Sequence, residues 1–225
     1  MKGARALTPL EIQAVCAAFD GKYEIRNRTL FLICANLGAR ITESLNLNVG
    51  DVFKDGEIVD ILYFRREAVK GKNEGVALTL PGGAKNALSA FLSWKSEQGE
   101  SFKKKAPLFV SRQGSRLTRQ QAHNVFKKAY QKVGLRGHVT THSPRKTYAK
   151  LVYDNSNNDL VLTQRALRHT SISATLYYLD TISDDVTKAM PNFVFGEVDV
   201  SDKTSNSKVI TMPKPKELKA RKKRI

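Results

Sequence analysis

Ile12, Val15, Cys16 and Phe19 recur at the three- and four-residue spacing of one helix face. Ahead of them Thr8, Pro9 and Glu11 form a capping box with proline at the first helical position, which predicts a first amphipathic helix. A second helix is predicted from about Glu24 to Leu37. It is apolar over most of its length ("LFLICANL"), stops at Gly38, the residue type expected just past a helix end, and should run through the core. "ITESLNL" predicts a short third helix. From Val52 to Leu80 the period changes: "EIVDILYF" and "GVALTL", rich in β-branched and aromatic residues, flank "KGKNEG" and predict a hairpin. Helical spacing returns at 83–96 and 118–133, with "PLFVSRQGSRL" between them as a loop or short strand. It returns again at about 143–153, 159–168 and 171–179, and "SDDVTKAM" carries an N-cap serine and first-turn acids near 184–190. The pattern predicts a mainly α protein with a small antiparallel β-sheet (α+β), as one domain over residues 1–196. Residues 197–225 are expected to be a poorly ordered tail.

Charge changes this picture most. Thirty-eight lysines and arginines stand against 21 acids, a net charge of +17, and such an excess implies a polyanionic partner, with nucleic acid the leading candidate. The tail "KPKELKARKKRI" holds seven of the basic residues and one acid, so residues 1–213 keep 31 against 20 and remain basic without it. No apolar run approaches a membrane span, and the N-terminus lacks the apolar stretch of a signal peptide, which leads to an expectation of a cytoplasmic protein with no membrane partner. Cys16 and Cys34 fall on apolar helical faces and read as buried thiols. The histidines and acids show no metal-ligand spacing, and no cofactor is expected.

Four places carry groups suited to phosphate chemistry. Arg40 stands just past Gly38, with Glu43 three residues on and able to hold its guanidinium. In "HSPRK", Ser143 and Pro144 have the chemistry of an N-cap and first helical residue, which sets His142 and Arg145 at a helix N-terminus, an end that favours anions. Lys70 or Lys72 in the hairpin is a flexible cation able to reach a leaving oxygen. Finally "LRHTSISATLYYLD" places Tyr177 and Tyr178 eight and nine residues after His169. A tyrosine hydroxyl is a poor nucleophile unless cations stabilise its anion, and guanidinium forks also match the charge that gathers on a phosphodiester in its transition state.

Arg-x-x-Glu after a glycine-terminated apolar helix, a lysine hairpin, His-x-x-Arg, Leu-x-His and a tyrosine nine residues past that histidine together resemble the catalytic domain of the tyrosine recombinases, the phage integrase family. The resemblance covers roughly residues 7–195 and implies the fold of that domain. It implies that Arg40 and Arg145 clamp a scissile phosphate, that His142 and His169 complete the phosphate site and assist proton transfer, and that Lys72, following a glycine in "KGK", protonates the departing 5′ oxygen. Tyr178 is implied as the nucleophile, forming a 3′-phosphotyrosine link without ATP or metal. Implied partners are double-stranded DNA, a homotetramer assembled on two sites through a Holliday junction, and an accessory DNA-bending protein. Phe193, Val194 and Phe195 fit an element passed to a neighbouring subunit or packed on its own domain.

Two departures from the family pattern stand out. Arg168 occupies the position between Leu167 and His169 where the family usually has glycine, which either adds a cation near the phosphate site or alters the turn before the histidine. The chain also begins directly with the catalytic domain, so the family's N-terminal core-binding domain is expected to be absent from it, the sequence being either a fragment of a larger integrase or one of the short members that invert DNA switches without that domain. The resemblance implies a site-specific recombinase acting as the integrase of a phage or other mobile element. A DNA-inversion switch recombinase, a type IB topoisomerase and a non-catalytic basic DNA-binding protein are the rival readings.

Overall fold

The computed structural model describes residues 3–64 and 75–179. The capped segment forms α1 (Pro9–Ala18): the Thr8 hydroxyl accepts the Glu11 N–H, and the Glu11 carboxylate accepts the Thr8 N–H at 2.9 Å. Next comes α2 (Glu24–Leu37), which ends on Gly38 in the left-handed region at φ 55°. Its Leu30, Phe31, Ile33 and Cys34 are fully buried, as a helix apolar around most of its circumference requires. Two later helices, α5 (Gly82–Glu97) and α7 (Ser143–Asn155), pack along α2, while α6 (Arg119–Val133) lies against α1. Where these elements meet, Phe19, Phe31, Phe126 and Tyr130 pack with ring centroids 5.3 to 6.4 Å apart. Edge-to-face pairs of this kind add about 0.5–1.5 kcal/mol each beyond the burial of their surface.

The short helix predicted over "ITESLNL" forms, and a further short helix absent from the expectation follows it. α3 covers Ile41–Leu45, and α4 (Val49–Val52) starts afresh after Asn48, whose N–H is accepted by the Asp51 carboxylate at 2.8 Å. The sheet region also differs from expectation: the single hairpin predicted over 52–80 is two separate two-stranded antiparallel ladders. β1 (Phe53–Lys54) pairs with β2 (Glu57–Ile58), and β3 (Ile61–Phe64) pairs with β4 (Val76–Thr79). The cause of the first is Asp55-Gly56, both at positive φ (52° and 86°), a dipeptide suited to a two-residue turn and visible in the sequence. Lys70 and Lys72 lie between β3 and β4, outside the described residues, as do the predicted 184–190 helix, Phe193 to Phe195 and the basic tail. The 107–116 segment makes only isolated bridges, Asn48 with Pro107 and Val110 with Arg116.

Two short helices complete the described chain. α8 (Leu160–Leu167) is capped by Asp159, whose carboxylate accepts the N–H groups of Val161 and Leu162. α9 (Ile172–Leu179) packs on both α7 and α8. Among the described residues no helix is long and apolar enough to cross a membrane.

Candidate active site

The start of α7 is anchored differently from the expectation that Ser143 caps it. His142 is the N-cap and Ser143 the first helical residue, because the Ser143 hydroxyl turns back to accept the Thr140 N–H at 3.0 Å. Arg145 thereby occupies the first turn with its side chain directed into the protein, only 1% exposed. A buried guanidinium needs acceptors, and Arg145 finds two on different elements: it donates to the Gly38 carbonyl beyond α2 and, at 2.5 Å, to the Leu167 carbonyl at the end of α8. Those bonds draw together the segments bearing Arg40, two residues past Gly38, and His169, two residues past Leu167.

Arg40 is held as its neighbour three residues on predicts. The Glu43 carboxylate, fully buried, accepts the Arg40 Nη1 at 2.7 Å and the Arg40 backbone N–H at 2.8 Å. Burial opposes ionisation of Glu43, but the guanidinium groups of Arg168, Arg40 and Arg145 and the Arg40 N–H outweigh it and hold the carboxyl below its ordinary range.

α8 ends with Arg168 in the left-handed conformation at φ 57°, its N–H bonded to the Arg165 carbonyl and the His169 N–H bonded to the Gln164 carbonyl. The arginine therefore keeps the turn that a glycine would supply, and His169 is set in place. Its Nδ1 meets the Thr175 hydroxyl at 3.1 Å, and its ring stands edge-on to Tyr178, with centroids 5.3 Å apart at 81°. The Tyr178 ring also lies 5.8 Å from the Arg145 guanidinium carbon and 5.5 Å from Lys146 Nζ. Its hydroxyl is buried and makes no hydrogen bond, although Arg145 is near enough to favour the phenolate. Tyr177, one residue earlier, is 66% exposed. Of the adjacent pair it is Tyr178 that the fold turns toward the arginines. His142, Lys146 and both tyrosines line one open pocket of about 420 Å³, together with Arg119 and His123 from the first turns of α6.

Five of the six residues singled out in the sequence thus converge: Arg40, His142, Arg145, His169 and Tyr178. The sixth, Lys72, lies outside the described residues. A model of the phage integrase family matches residues 5–183. This chain belongs to the phage integrase family. Curated relatives include tyrosine recombinase XerC of Caldanaerobacter subterraneus subsp. tengcongensis, 27% identical over 76% of this chain and 46% of the relative. Another is tyrosine recombinase XerH of Campylobacter jejuni subsp. jejuni, 29% identical over 68% of this chain and 41% of the relative. The integrase-family chain therefore spans less than half the length of these relatives. Among solved structures, the XerA recombinase superposes with a TM-score of 0.65 at 22% identity, covering 82% of this chain and 63% of that one. XerH bound to palindromic difH in a post-cleavage complex gives 0.63 at 24% identity, covering 82% and 52%. A mainly helical catalytic-domain fold with small antiparallel sheets is shared with these neighbours.

Two further residues at this integrase-family site were not anticipated. Lys146, 5% exposed against the Tyr178 ring, had its signal in the quoted "HSPRK", where it directly follows Arg145. Thr175, fully buried on α9, had none, because a threonine inside an apolar helix is ordinary in sequence.

The electrostatics are those of a site short of negative charge. Burial pushes His169 from an ordinary 6.5 down to about 4, and Arg145, Arg40 and Arg168 add to the depression. His142 is lowered by burial, then by Arg119, Arg145, Arg40 and Lys146. Burial and the neighbouring Arg40 and Arg168 bring even Arg145 to about 10, though it stays cationic at neutral pH. For Tyr178, burial outweighs the pull of Arg145 and Arg40 and keeps the phenol protonated. Titration of the His169 ring by NMR in DNA-free protein is accordingly expected to centre near pH 4. A midpoint near 6.5 would contradict the geometry. Because the fold prefers the neutral ring, its contribution to stability is complete above the unfolded value. It is lost as pH falls from about 6.5 to about 4.

Proposed function

We propose that this chain is a site-specific DNA recombinase that cleaves and rejoins strands through Tyr178. The observation that carries this reading is the convergence of Arg40, Arg145, Lys146 and two histidines, from separate stretches of chain, around a single phenol whose own hydrogen-bonding capacity is unmet. A phosphodiester is the dianion-like group in transition that such a cluster fits. In the proposed reaction the Tyr178 oxygen attacks a backbone phosphorus and its proton passes to a neighbouring base. The P–O bond to the 5′ carbon side then breaks, and that oxygen takes up a proton, with Lys72 as donor. The products are a 3′-phosphotyrosyl link and a free 5′-hydroxyl. Attack by the hydroxyl of a second strand reverses these steps in a new connection, so the phosphoester energy is retained and no ATP or metal ion takes part.

The relatives support DNA as the partner: XerH is seen bound to difH, and lambda integrase as a dimer on a COC′ core site. The finer elements of the proposal are a homotetramer on two sites, assistance by a DNA-bending protein, and service as the integrase of a phage or other mobile element. Residues 1–196 act as the catalytic unit and 197–225 as a basic arm, in the cytoplasm beside the nucleoid. Duplexes selected by the purified chain from a random-sequence pool, then nicked near the bound centre, test the reading. A covalent protein–DNA adduct and exchanged strands between two labelled duplexes are expected. Binding without any adduct on every selected duplex would reduce the chain to a DNA-binding module, and relaxation of plasmids lacking a selected site would indicate a topoisomerase.

A further inference from the structure

Arg168 is an anomaly of backbone and side chain at once. A left-handed residue just past a helix end is the place where glycine is favoured, and a non-glycine residue there costs about 1 kcal/mol. Arg168 takes that conformation and then buries its guanidinium, 5% exposed, outside the lining of the pocket that His142 and Tyr178 share. Nη2 donates to the Glu43 carboxylate at 3.0 Å and to the Gly38 carbonyl at 3.2 Å, and Nη1 reaches the Leu37 and Ala166 carbonyls at 3.4 Å. The guanidinium carbon also lies 5.8 Å from the ring of Phe64, the final described residue of β3 before the lysine-bearing connection. Nε is buried without a partner, so the group is held here at some cost in desolvation.

What the fork touches is informative. The Glu43 oxygen that it binds, Oε2, is the one that accepts the Arg40 backbone N–H, and the other oxygen holds the Arg40 guanidinium. The Gly38 carbonyl that it binds also accepts from Arg145. One side chain therefore contacts both holders of the two site arginines, and its own backbone leads into His169. We infer that Arg168 is a positioning residue for the proposed strand-cleavage reaction, fixing Arg40 through Glu43 and registering Arg145 and His169 through the end of α2. The inference rests on the recombinase reading.

This role has a signature that plain structural support lacks. Glu43 is faced by Arg40 from its own helix start, by Arg145 from α7, by Arg168 from the end of α8 and by the Cys34 thiol from α2. Removing Arg168 takes away the strongest of the charges that hold Glu43 ionised. The acid limb of the cleavage-rate profile should then move to higher pH, while protonated Glu43 lets go of Arg40.

The test is single-turnover adduct formation by the full chain on a nicked selected duplex, measured across pH together with DNA affinity and thermal unfolding. Arg168→Gly relieves the left-handed strain but deletes the fork. It should bind DNA within a few-fold of wild type, lose about 100-fold in adduct rate and show the shifted acid limb. Arg168→Lys keeps a cation but cannot span Glu43 and two carbonyls, so it should recover part of the rate and keep the wild-type acid limb. Wild-type rate and profile in Arg168→Gly would overturn the inference. Should that variant not fold, a full wild-type adduct rate in Arg168→Lys would overturn it, since a lysine cannot span Glu43 and the carbonyls. Failure of the wild-type chain itself to form an adduct would instead sink the recombinase reading.

Discussion

Tyr178→Phe is expected to abolish covalent capture of a nicked duplex, by about a thousandfold or more, without lowering the thermal stability of the chain. The two halves of this result have one cause. The Tyr178 hydroxyl is buried and has no closer interaction than its approach to Arg145, so removing it deletes no bond that holds the fold together. Deleting that oxygen leaves the ring in its place against His169 and Arg145, and Tm should stay constant or rise. Tyr177→Phe is the control. That residue is largely exposed, so adduct formation should persist. Adduct yield on the nicked duplex and differential scanning calorimetry check both statements. Loss of the adduct in Tyr177→Phe with retention in Tyr178→Phe would reverse the assignment.

Arg145→Ala is expected to fail in both respects. The fully buried guanidinium bonds the carbonyls beyond α2 and at the end of α8, so truncation leaves a cavity and removes the donor that Leu167 relies on. A loss of about 2–5 kcal/mol is expected, visible in urea unfolding. Adduct formation should fall by at least about a hundredfold even at temperatures where the variant is folded, since the same group faces Tyr178. Arg145→Lys restores the charge but not a fork able to meet two carbonyls on separate helices, and it should recover little of either property. A variant that keeps full stability while losing activity would mean that the two carbonyl bonds carry no weight.

The helical order of the chain was legible because its signals are local. Thr8 with Glu11, Gly38 and the apolar run before it each encode an end or a face within a few residues. The candidate site was legible through the family resemblance that its spacings carry, each signal being ordinary by itself, and Glu43 as the holder of Arg40 followed from a three-residue offset on a helix. What spacing could not convey was direction. Nothing in "HSPRK" indicates that the Ser143 hydroxyl turns backward, and nothing near Arg168 indicates that its side chain leaves the phosphate site for Glu43. Both are decided by acceptors more than 100 residues away or by the competition between two local bonds. The split of the sheet was different: Asp55-Gly56 carried that signal in plain view, outweighed by the more conspicuous β-branched run after it.

The peptide oxygen of Gly38 receives guanidinium protons from two arginines that approach from different helices, at a residue where any side chain would run into the Tyr148 ring. The central helix of the core thus terminates as a socket into which the chemistry of the surface is plugged. Repacking at Leu37 or Cys34, out of reach of any nucleic acid, should accordingly surface as a change in turnover before it surfaces as unfolding, and directed evolution of this chain would find its activity modifiers in the interior.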